Sequence, residues 1–203
     1  MDAAAFLALA LQCAPHVAPD TLLAIASHES SLRPFVIANN STKERAEGTT
    51  PADAVDRAAS WIAAGHSVDM GLMQINSANL PRLGMSVADV FVPCRNVEAG
   101  ARILGDAYAN AGAREGDKGL ALRMALSAYN TGNFNAGFTN GYVAAVEGQA
   151  AAYVVPSLAG AAPASPPALR VRRKSPAPAQ AAQTPAPGGD WNPFGRGDRG
   201  SVF

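Results

Sequence analysis

The chain has 203 residues, of which 48% are hydrophobic and 16% are charged, so it can form a packed core and is not disordered throughout. Sixteen basic residues balance sixteen acidic ones, which removes any global argument for nucleic acid as a partner. No apolar run approaches the roughly 20 residues of a membrane-spanning helix. With aromatic residues at only 6%, the composition favours helices packed through small residues over an all-β sandwich.

The balanced charge divides unevenly along the chain. Residues 1–155 carry ten basic and fourteen acidic residues, whereas residues 156–203 carry six basic and two acidic ones. Nine of the fifteen prolines also lie in this second segment, which has few large apolar residues to offset the entropy of ordering. We therefore predict one domain over residues 1–155 and a disordered, basic, Ala/Pro-rich tail over residues 156–203.

Two features of the predicted tail have alternative interpretations. The basic cluster from Arg170 to Lys174 is either solvated linker or a contact for an acidic surface, such as cell-wall polymer, lipid headgroups or a protein partner. Trp191 and Phe194 are aromatic residues in a segment that is predicted to have no core, so burial does not explain them. They favour a short binding motif.

Six helices are predicted from caps, prolines and apolar periodicity, while the alternation typical of strands is nearly absent. Residues 39–48 look like a polar loop, and residues 70–75 like a short apolar stretch after a turn. The fold class is therefore mainly α, a helical bundle with long loops. The helices are predicted at residues 2–13, 19–33, 50–64, 96–111, 120–129 and 142–152.

Cys13 and Cys94 are the only cysteines, and they form either one disulfide or two buried thiols in a reducing compartment. The three histidines are scattered and Cys-x-x-Cys is absent, so no metal site is predicted. Residues 3–11 superficially resemble the apolar core of an export signal, but Asp2 precedes them and no basic residue or clear cleavage site is present. These residues are better explained as the first helix, and no convincing signal peptide is predicted.

Glu29 is the strongest candidate for chemistry. Ile25 and Ala26 lie one turn before it, on the apolar face of its helix, so the carboxyl points away from solvent. Burial raises the pKa of a carboxyl, and a glutamic acid that holds a proton near neutral pH can act as a general acid on a glycosidic bond. On pattern alone, a single glutamate at a helix end is more often a surface acid.

Three motifs in order favour the functional interpretation: Glu29-Ser30-x-x-x-Pro34, then Gly71-Leu72-Met73-Gln74-Ile75-Asn76, then Ala128-Tyr129-Asn130-Thr131-Gly132. This set resembles the soluble lytic transglycosylases, which have a lysozyme-like fold, and the resemblance covers about residues 6–147. It narrows to the branch that serves type IV secretion and conjugation machines through five further segments. These are Gln12-Cys13-Ala14-Pro15, Ser67–Met70 before the second motif, Phe91-x-Pro93-Cys94-Arg95-Asn96, Gly132-Asn133-Phe134 and Gly137–Val143. Ser31 stands where a glycine often follows Glu-Ser in the family.

The resemblance implies a periplasmic enzyme that remodels peptidoglycan, with a disulfide between Cys13 and Cys94. Glu29 would protonate the oxygen between N-acetylmuramic acid and N-acetylglucosamine, aided by the substrate's acetamido group. It would then take the C6 hydroxyl proton as the ring closes to the 1,6-anhydro product. No water, metal or cofactor is expected in this reaction.

Supporting roles follow from motif position. Tyr129 is expected to hydrogen-bond Glu29, and Gln74 and Asn76 to bind sugar acetamido and hydroxyl groups. Gly71 would keep the backbone close to the glycan. The remaining candidates are Met73 as core and cleft wall, Ser30 as a local hydrogen-bond donor with a further substrate contact, and Asn130 as either a cleft residue or a brace for its loop.

Asp69 keeps a second enzyme class open. If it faced Glu29 across room for a water, the protein would be an inverting hydrolase, a muramidase. The alternative is that Asp69 is a turn residue whose side chain hydrogen-bonds its own backbone. A third interpretation is a wall-binding assembly factor that recruits secretion subunits through its tail. We expect a monomer that binds peptidoglycan strands and secretion or conjugation subunits, with no nucleic acid.

Overall fold

The computed structural model describes residues 1–153, which form nine α-helices, one 3-10 turn at Ser77–Asn79 and a small four-stranded sheet. The predicted tail, with its basic cluster and its Trp191 motif, lies outside the described residues, as does the domain boundary at residue 155. The helices are α1 (Ala3–Cys13), α2 (Pro19–Ser30), α3 (Pro51–Ala63), α4 (Leu80–Leu83), α5 (Val87–Val90), α6 (Pro93–Gly112), α7 (Lys118–Thr131), α8 (Ala136–Thr139) and α9 (Tyr142–Tyr153). The strands are β1 (Val36–Asn39), β2 (Arg45–Glu47), β3 (Val68–Met70) and β4 (Ile75–Asn76).

The N-terminal apolar stretch is a helix of the domain, as predicted. The Asp2 side chain caps α1 by accepting a hydrogen bond from the Ala5 amide, and Phe6 and Ala10 are buried. At the other end of α1, Cys13 is joined to Cys94 in the first turn of α6. This disulfide closes a loop across 81 residues of sequence, which in the loop-entropy model stabilises the fold by about 4 kcal/mol.

Helix α2 runs through the core. Pro19 occupies its first turn, and Leu22 to Ser27 are all buried. The helix ends at Ser30, because Ser31 and Leu32 adopt left-handed backbone geometry with φ of 53° and 59°. The Ser31 amide donates to the carbonyls of Ala26 and Ser27. The end is thus three residues earlier than the predicted one at Arg33, and the left-handed cap rather than Pro34 produces it.

The sequence analysis missed the sheet and the three four-residue helices α4, α5 and α8. The strand order of the sheet is β2-β1-β3-β4, with antiparallel neighbours throughout. The predicted polar loop at residues 39–48 holds the end of β1 and all of β2, and the predicted apolar stretch holds the end of β3 and the start of β4. Strands of two to four residues are too short to display alternation, which is why the pattern was absent.

The long helices α6 and α7 pack against each other and complete the core. Helix α6 begins at Pro93, three residues before the predicted start. At Gly100 the helix packs closely against the Met73 side chain. A Cβ there would lie 2.8–2.9 Å from Met73 side-chain atoms. None of the helices in residues 1–153 has the length and apolar character needed to cross a membrane.

Candidate active site

Glu29 lies in the last turn of α2, and its carboxyl is held by a tyrosine from α9. The Tyr142 hydroxyl donates a 2.6 Å hydrogen bond to Glu29 Oε1. His28 packs edge-on against the Tyr142 ring, with centroids 5.0 Å apart and planes at 85°. Tyr142 itself is only 1% exposed, so its position is fixed by the core. We call Glu29, His28 and Tyr142 the helical side of the site.

Burial raises the pKa of Glu29 to about 7, because removing the carboxylate from water disfavours its charged form. The negative charge of Asp69 raises it further, whereas the Tyr142 hydrogen bond and the positive charge of Arg45 lower it. The predicted general acid is therefore a carboxyl that is about half protonated at neutral pH. That state suits a group that first gives up a proton and then takes one back.

One row of side chains crosses the sheet toward Glu29. Arg45 pairs with Ala38, Ala38 with Asp69, and Asp69 with Asn76 in the strand registers. Directly opposed residues of antiparallel strands project from the same face, so these four side chains share one surface. At one end of the row, Arg45 Nη2 donates to the main-chain oxygen of Glu29 at 3.1 Å. We call this row the sheet side of the site.

Asp69 is a strand residue, so the prediction of a turn residue is wrong. Its carboxylate accepts hydrogen bonds from Asn40 Nδ2 at 2.8 Å and from Asn76 Nδ2 at 2.6 Å. Burial raises the pKa of Asp69 to about 6, while these two bonds and the charges of Arg45 and Lys43 oppose that rise. The site thus contains two carboxyl groups whose burial disfavours their ionisation, and the charge of Asp69 adds to this effect at Glu29.

The prediction that Tyr129 hydrogen-bonds Glu29 is wrong. Tyr129 is buried, and its hydroxyl donates to the Met73 carbonyl at 2.8 Å. Tyr142 makes the bond to Glu29 instead. Sequence analysis noted Tyr142 only as part of the Gly137–Val143 resemblance, and its place at the start of a helix gave no signal that it would meet a residue 113 positions away.

Two other predicted site residues, Ser30 and Met73, are buried beneath the site. Ser30 is 1% exposed, and its hydroxyl donates to the carbonyls of Ala26 and Leu72, which ties α2 to the second motif. Met73 has no exposed side-chain surface, so it packs inside the core and does not line a cleft. The side chains of both residues are therefore unavailable to a substrate.

Gly71 is required by packing. Its φ is +77°, and a Cβ would lie 2.3 Å from Asn96 Nδ2. The buried Asn96 amide donates to the carbonyls of Met70 and Val90 and accepts from the Met73 amide. Close approach to Asn96 therefore requires a glycine here, and the predicted approach of this backbone to a glycan stays a prediction.

Asn76, Gln74 and Asn130 are the three predicted site residues with amide side chains. They differ in which side-chain atoms are still able to hydrogen-bond a ligand. Both Nδ2 hydrogens of Asn76 are used, because they donate to Ser67 and Asp69, and its Oδ1 accepts from the Ala78 amide. Asn76 therefore holds Asp69, and its predicted contact with a sugar stays a prediction that involves Oδ1. Gln74 donates from Nε2 to the Val36 and Gly71 carbonyls, and within residues 1–153 its Oε1 accepts no hydrogen bond.

Asn130 accepts a 3.0 Å hydrogen bond from Asn140 Nδ2, in the turn before α9. Of the two predicted roles, this contact matches the brace for a loop. The loop in question leads directly to Tyr142, whose amide donates to Asn140 Oδ1 at 2.9 Å.

The domain that carries this site is similar to known proteins. The protein-family model described as "Transglycosylase SLT domain" matches residues 6–151, a range that includes both sides of the site. The chain belongs to the SLT transglycosylase family. It is 44% identical over 149 residues to "Protein virB1" of Agrobacterium fabrum, covering 73% of this chain and 60% of that protein. It is 40% identical over 134 residues to "Type IV secretion system protein virB1" of Brucella abortus, covering 66% of this chain and 56% of that protein.

The matched segment spans about 60% of the length of these relatives. No solved structure gives a significant match to the chain. Family membership agrees with the resemblance drawn from the three motifs, and with the lysozyme-like, mainly α fold.

Proposed function

We propose that this protein is a peptidoglycan lytic transglycosylase that cleaves the β-1,4 bond between N-acetylmuramic acid and N-acetylglucosamine. The observation that carries the proposal is the Glu29 carboxyl, with a pKa of about 7 and a single side-chain hydrogen bond from Tyr142. A general acid needs a proton at the working pH, and a general base needs to lose it at little cost. One carboxyl with this pKa meets both requirements.

In the proposed reaction, protonated Glu29 donates to the bridging oxygen as the bond to C1 of the muramic acid breaks. The substrate's acetamido group stabilises the positive charge at C1. Glu29, now a carboxylate, takes the proton of the C6 hydroxyl as that oxygen bonds to C1 and forms the 1,6-anhydro ring. Tyr142 keeps the carboxyl oriented through both steps, and Gln74 Oε1 offers an acceptor for a sugar amide or hydroxyl.

The family relatives support a cellular role for this reaction. One carries the words "Type IV secretion system" in its name. We infer that this chain opens the peptidoglycan of the periplasm for assembly of a type IV secretion or conjugation apparatus. A domain over residues 1–155, a tail over residues 156–203 that contacts secretion subunits, and a monomeric state belong to the same proposal.

Asp69 favours one alternative, a muramidase that hydrolyses the same bond. Its carboxyl interacts electrostatically with that of Glu29, as a second carboxylate activating a water would require. Against this, both Asp69 oxygens already accept hydrogen bonds, from Asn40 and Asn76.

Mass spectrometry of fragments released from purified peptidoglycan tests the proposal. The protein should release fragments that end in 1,6-anhydromuramic acid, one water lighter than hydrolysis products, and Glu29→Gln should release at least about 1,000-fold less. Glu98→Gln is a matched control, because Glu98 is an exposed acid on α6, and its product yield should equal that of the wild type. Reducing ends would replace the transglycosylase by the muramidase. Glycan binding without any release would favour the assembly factor.

A further inference from the structure

A concave pocket lies beside the active site, on the outer edge of the sheet. Its volume is about 290 Å³, and it is lined by Arg33, Val36, Arg45, Ala46 and Glu47. Arg45 joins this pocket to the site, because its guanidinium contacts the Glu29 main-chain oxygen at 3.1 Å. A group bound here would therefore lie next to the residue that acts on the glycosidic bond.

The pocket is positively charged although its domain is not. Arg33 and Arg45 outnumber Glu47, and Lys43 stands two residues before Arg45 in the same hairpin. The Arg33–Glu47 ion pair is 2.9 Å long, with about half of each side chain exposed. Exposed pairs of this kind contribute little, so Glu47 can yield Arg33 to another anion. In contrast, residues 1–155 carry fourteen acidic and ten basic residues.

Arg45 keeps most of its donors free. Four other arginines of residues 1–153 form ion pairs with carboxylates, whereas Arg45 in the same part of the chain donates only to a main-chain oxygen. A guanidinium has five N–H donors arranged to meet both oxygens of a carboxylate. Arg45 is also exposed, so a ligand would not have to displace protein atoms to reach it.

We propose that Arg45 and this pocket bind a carboxylate carried on the C3 substituent of the muramic acid whose bond is cleaved. The inference rests on the proposed function and names a feature of its substrate. The acetamido and hydroxyl groups of the glycan are neutral, so the C3 substituent holds the anions of the strand. C3 is two ring carbons from C1, where Glu29 acts, so this substituent lies beside Glu29 when the bond is in place.

The carboxylate has two sources with the same chemistry. In a peptide-free strand it is the lactyl carboxylate itself, and in a peptide-bearing strand the lactyl group is an amide and the carboxylates belong to the stem peptide. A different explanation is that Arg45 acts only through Glu29, whose pKa its charge lowers. That explanation predicts the same loss on every substrate.

The test uses the full chain and three glycan substrates: strands with intact peptides, peptide-free strands, and peptide-free strands whose lactyl carboxyl is capped as an amide. Arg45→Gln should lower kcat/KM about 10- to 100-fold on at least one carboxylate-bearing substrate and less than about 3-fold on the capped strand. A loss confined to peptide-bearing strands identifies the stem carboxylate, and a loss on uncapped peptide-free strands identifies the lactyl group. Equal losses on all three, or no loss, would overturn the proposal.

Binding to the same three substrates is measured in the Glu29→Gln background, with and without Arg45→Gln. This readout separates the inference from the proposed function, because selective binding through Arg45 would remain even if the wild-type protein cleaved nothing. Arg45→Lys should recover part of the selectivity, since it restores the charge without the planar fork. Arg102→Gln is the matched control, an exposed arginine on α6 that should leave all three values unchanged.

Discussion

The two sides of the site are built by different means. On the helical side, α2 packs against α9, and one hydrogen bond joins the half-buried Glu29 to the buried Tyr142. On the sheet side, Arg45 and Asp69 share the face of a small sheet and act on Glu29 mainly through charge. The helical side therefore fixes where the acid is, and the sheet side adjusts how readily it ionises and what can bind beside it.

The largest expected effect tests how the sheet side is attached to the core. Gly71→Ala should destabilise the protein by roughly 3–4 kcal/mol, because it combines an unfavourable positive φ with a collision against the buried Asn96 amide. Gly65→Ala is the control: Gly65 has a φ of +82°, but a Cβ there meets nothing within 4 Å, so about 1 kcal/mol should be lost. Urea unfolding measures both. A Gly71→Ala variant that kept its stability but lost glycan binding would restore the predicted glycan contact.

A smaller effect tests the burial of the helical side. The folded protein holds the Glu29 proton up to a pKa of about 7, while the unfolded chain releases it near 4.5. Protonation therefore favours the folded state, and stability falls as the pH rises from about 4.5 through about 7. The loss is roughly 3 kcal/mol.

Glu29→Gln has no proton to lose at this position, so its free energy of unfolding should exceed that of the wild type by this amount at pH 8 and should not at pH 4. Asp69 also titrates in this range, but it does so in both proteins and largely cancels in the difference. Glu98→Gln should show a constant difference at the two pH values. A gap between wild type and Glu29→Gln that did not change with pH would mean that the Glu29 carboxyl is solvated.

Removing the hydroxyl of either tyrosine should have an effect of about 1–3 kcal/mol, on activity for Tyr142 and on stability for Tyr129. Tyr142→Phe removes the hydrogen bond that lowers the pKa of Glu29, so that pKa rises and the alkaline limb of kcat/KM moves to higher pH. The orientation of the acid is lost as well, which should reduce kcat/KM about 10-fold.

Tyr129→Phe should instead cost about 1–3 kcal/mol of stability, because the buried Met73 carbonyl loses its partner, and the pH profile should keep its shape. Activity across pH and unfolding by urea together separate the two roles. If the pH profile moved with Tyr129→Phe and not with Tyr142→Phe, the assignment of partners would be reversed.

The smallest effect concerns the link between the two sides, where α2 ends and the chain turns toward β1. Ser31→Gly should stabilise the protein by up to about 1 kcal/mol, since glycine adopts the left-handed geometry at φ 53° without steric cost. Ser60→Gly, at an exposed position inside α3, should instead lose about 0.5 kcal/mol. Thermal unfolding measures both changes in stability. If both variants were less stable than the wild type, backbone geometry would not determine the effect at Ser31.

The sequence by itself predicted the six longest helices and a carboxyl at Glu29 with a raised pKa. Caps, prolines and apolar spacing act within a few residues of each other, so α1, α3 and α9 lie within one or two residues of their predictions, and the apolar face before Glu29 already pointed to a raised pKa. The ordered motifs likewise carried the family, because each depends on short segments of sequence.

Only the tertiary structure decided which groups meet at the acid. Tyr142 lies 113 residues from Glu29 and Asp69 lies 40, and no local pattern states which of two tyrosines reaches the carboxyl. The sheet escaped prediction for a related reason: strands of two to four residues are stabilised by their neighbours and not by their own periodicity. Gly71 and Asn76 serve packing and support for the same reason, since the contacts that occupy them come from distant parts of the chain.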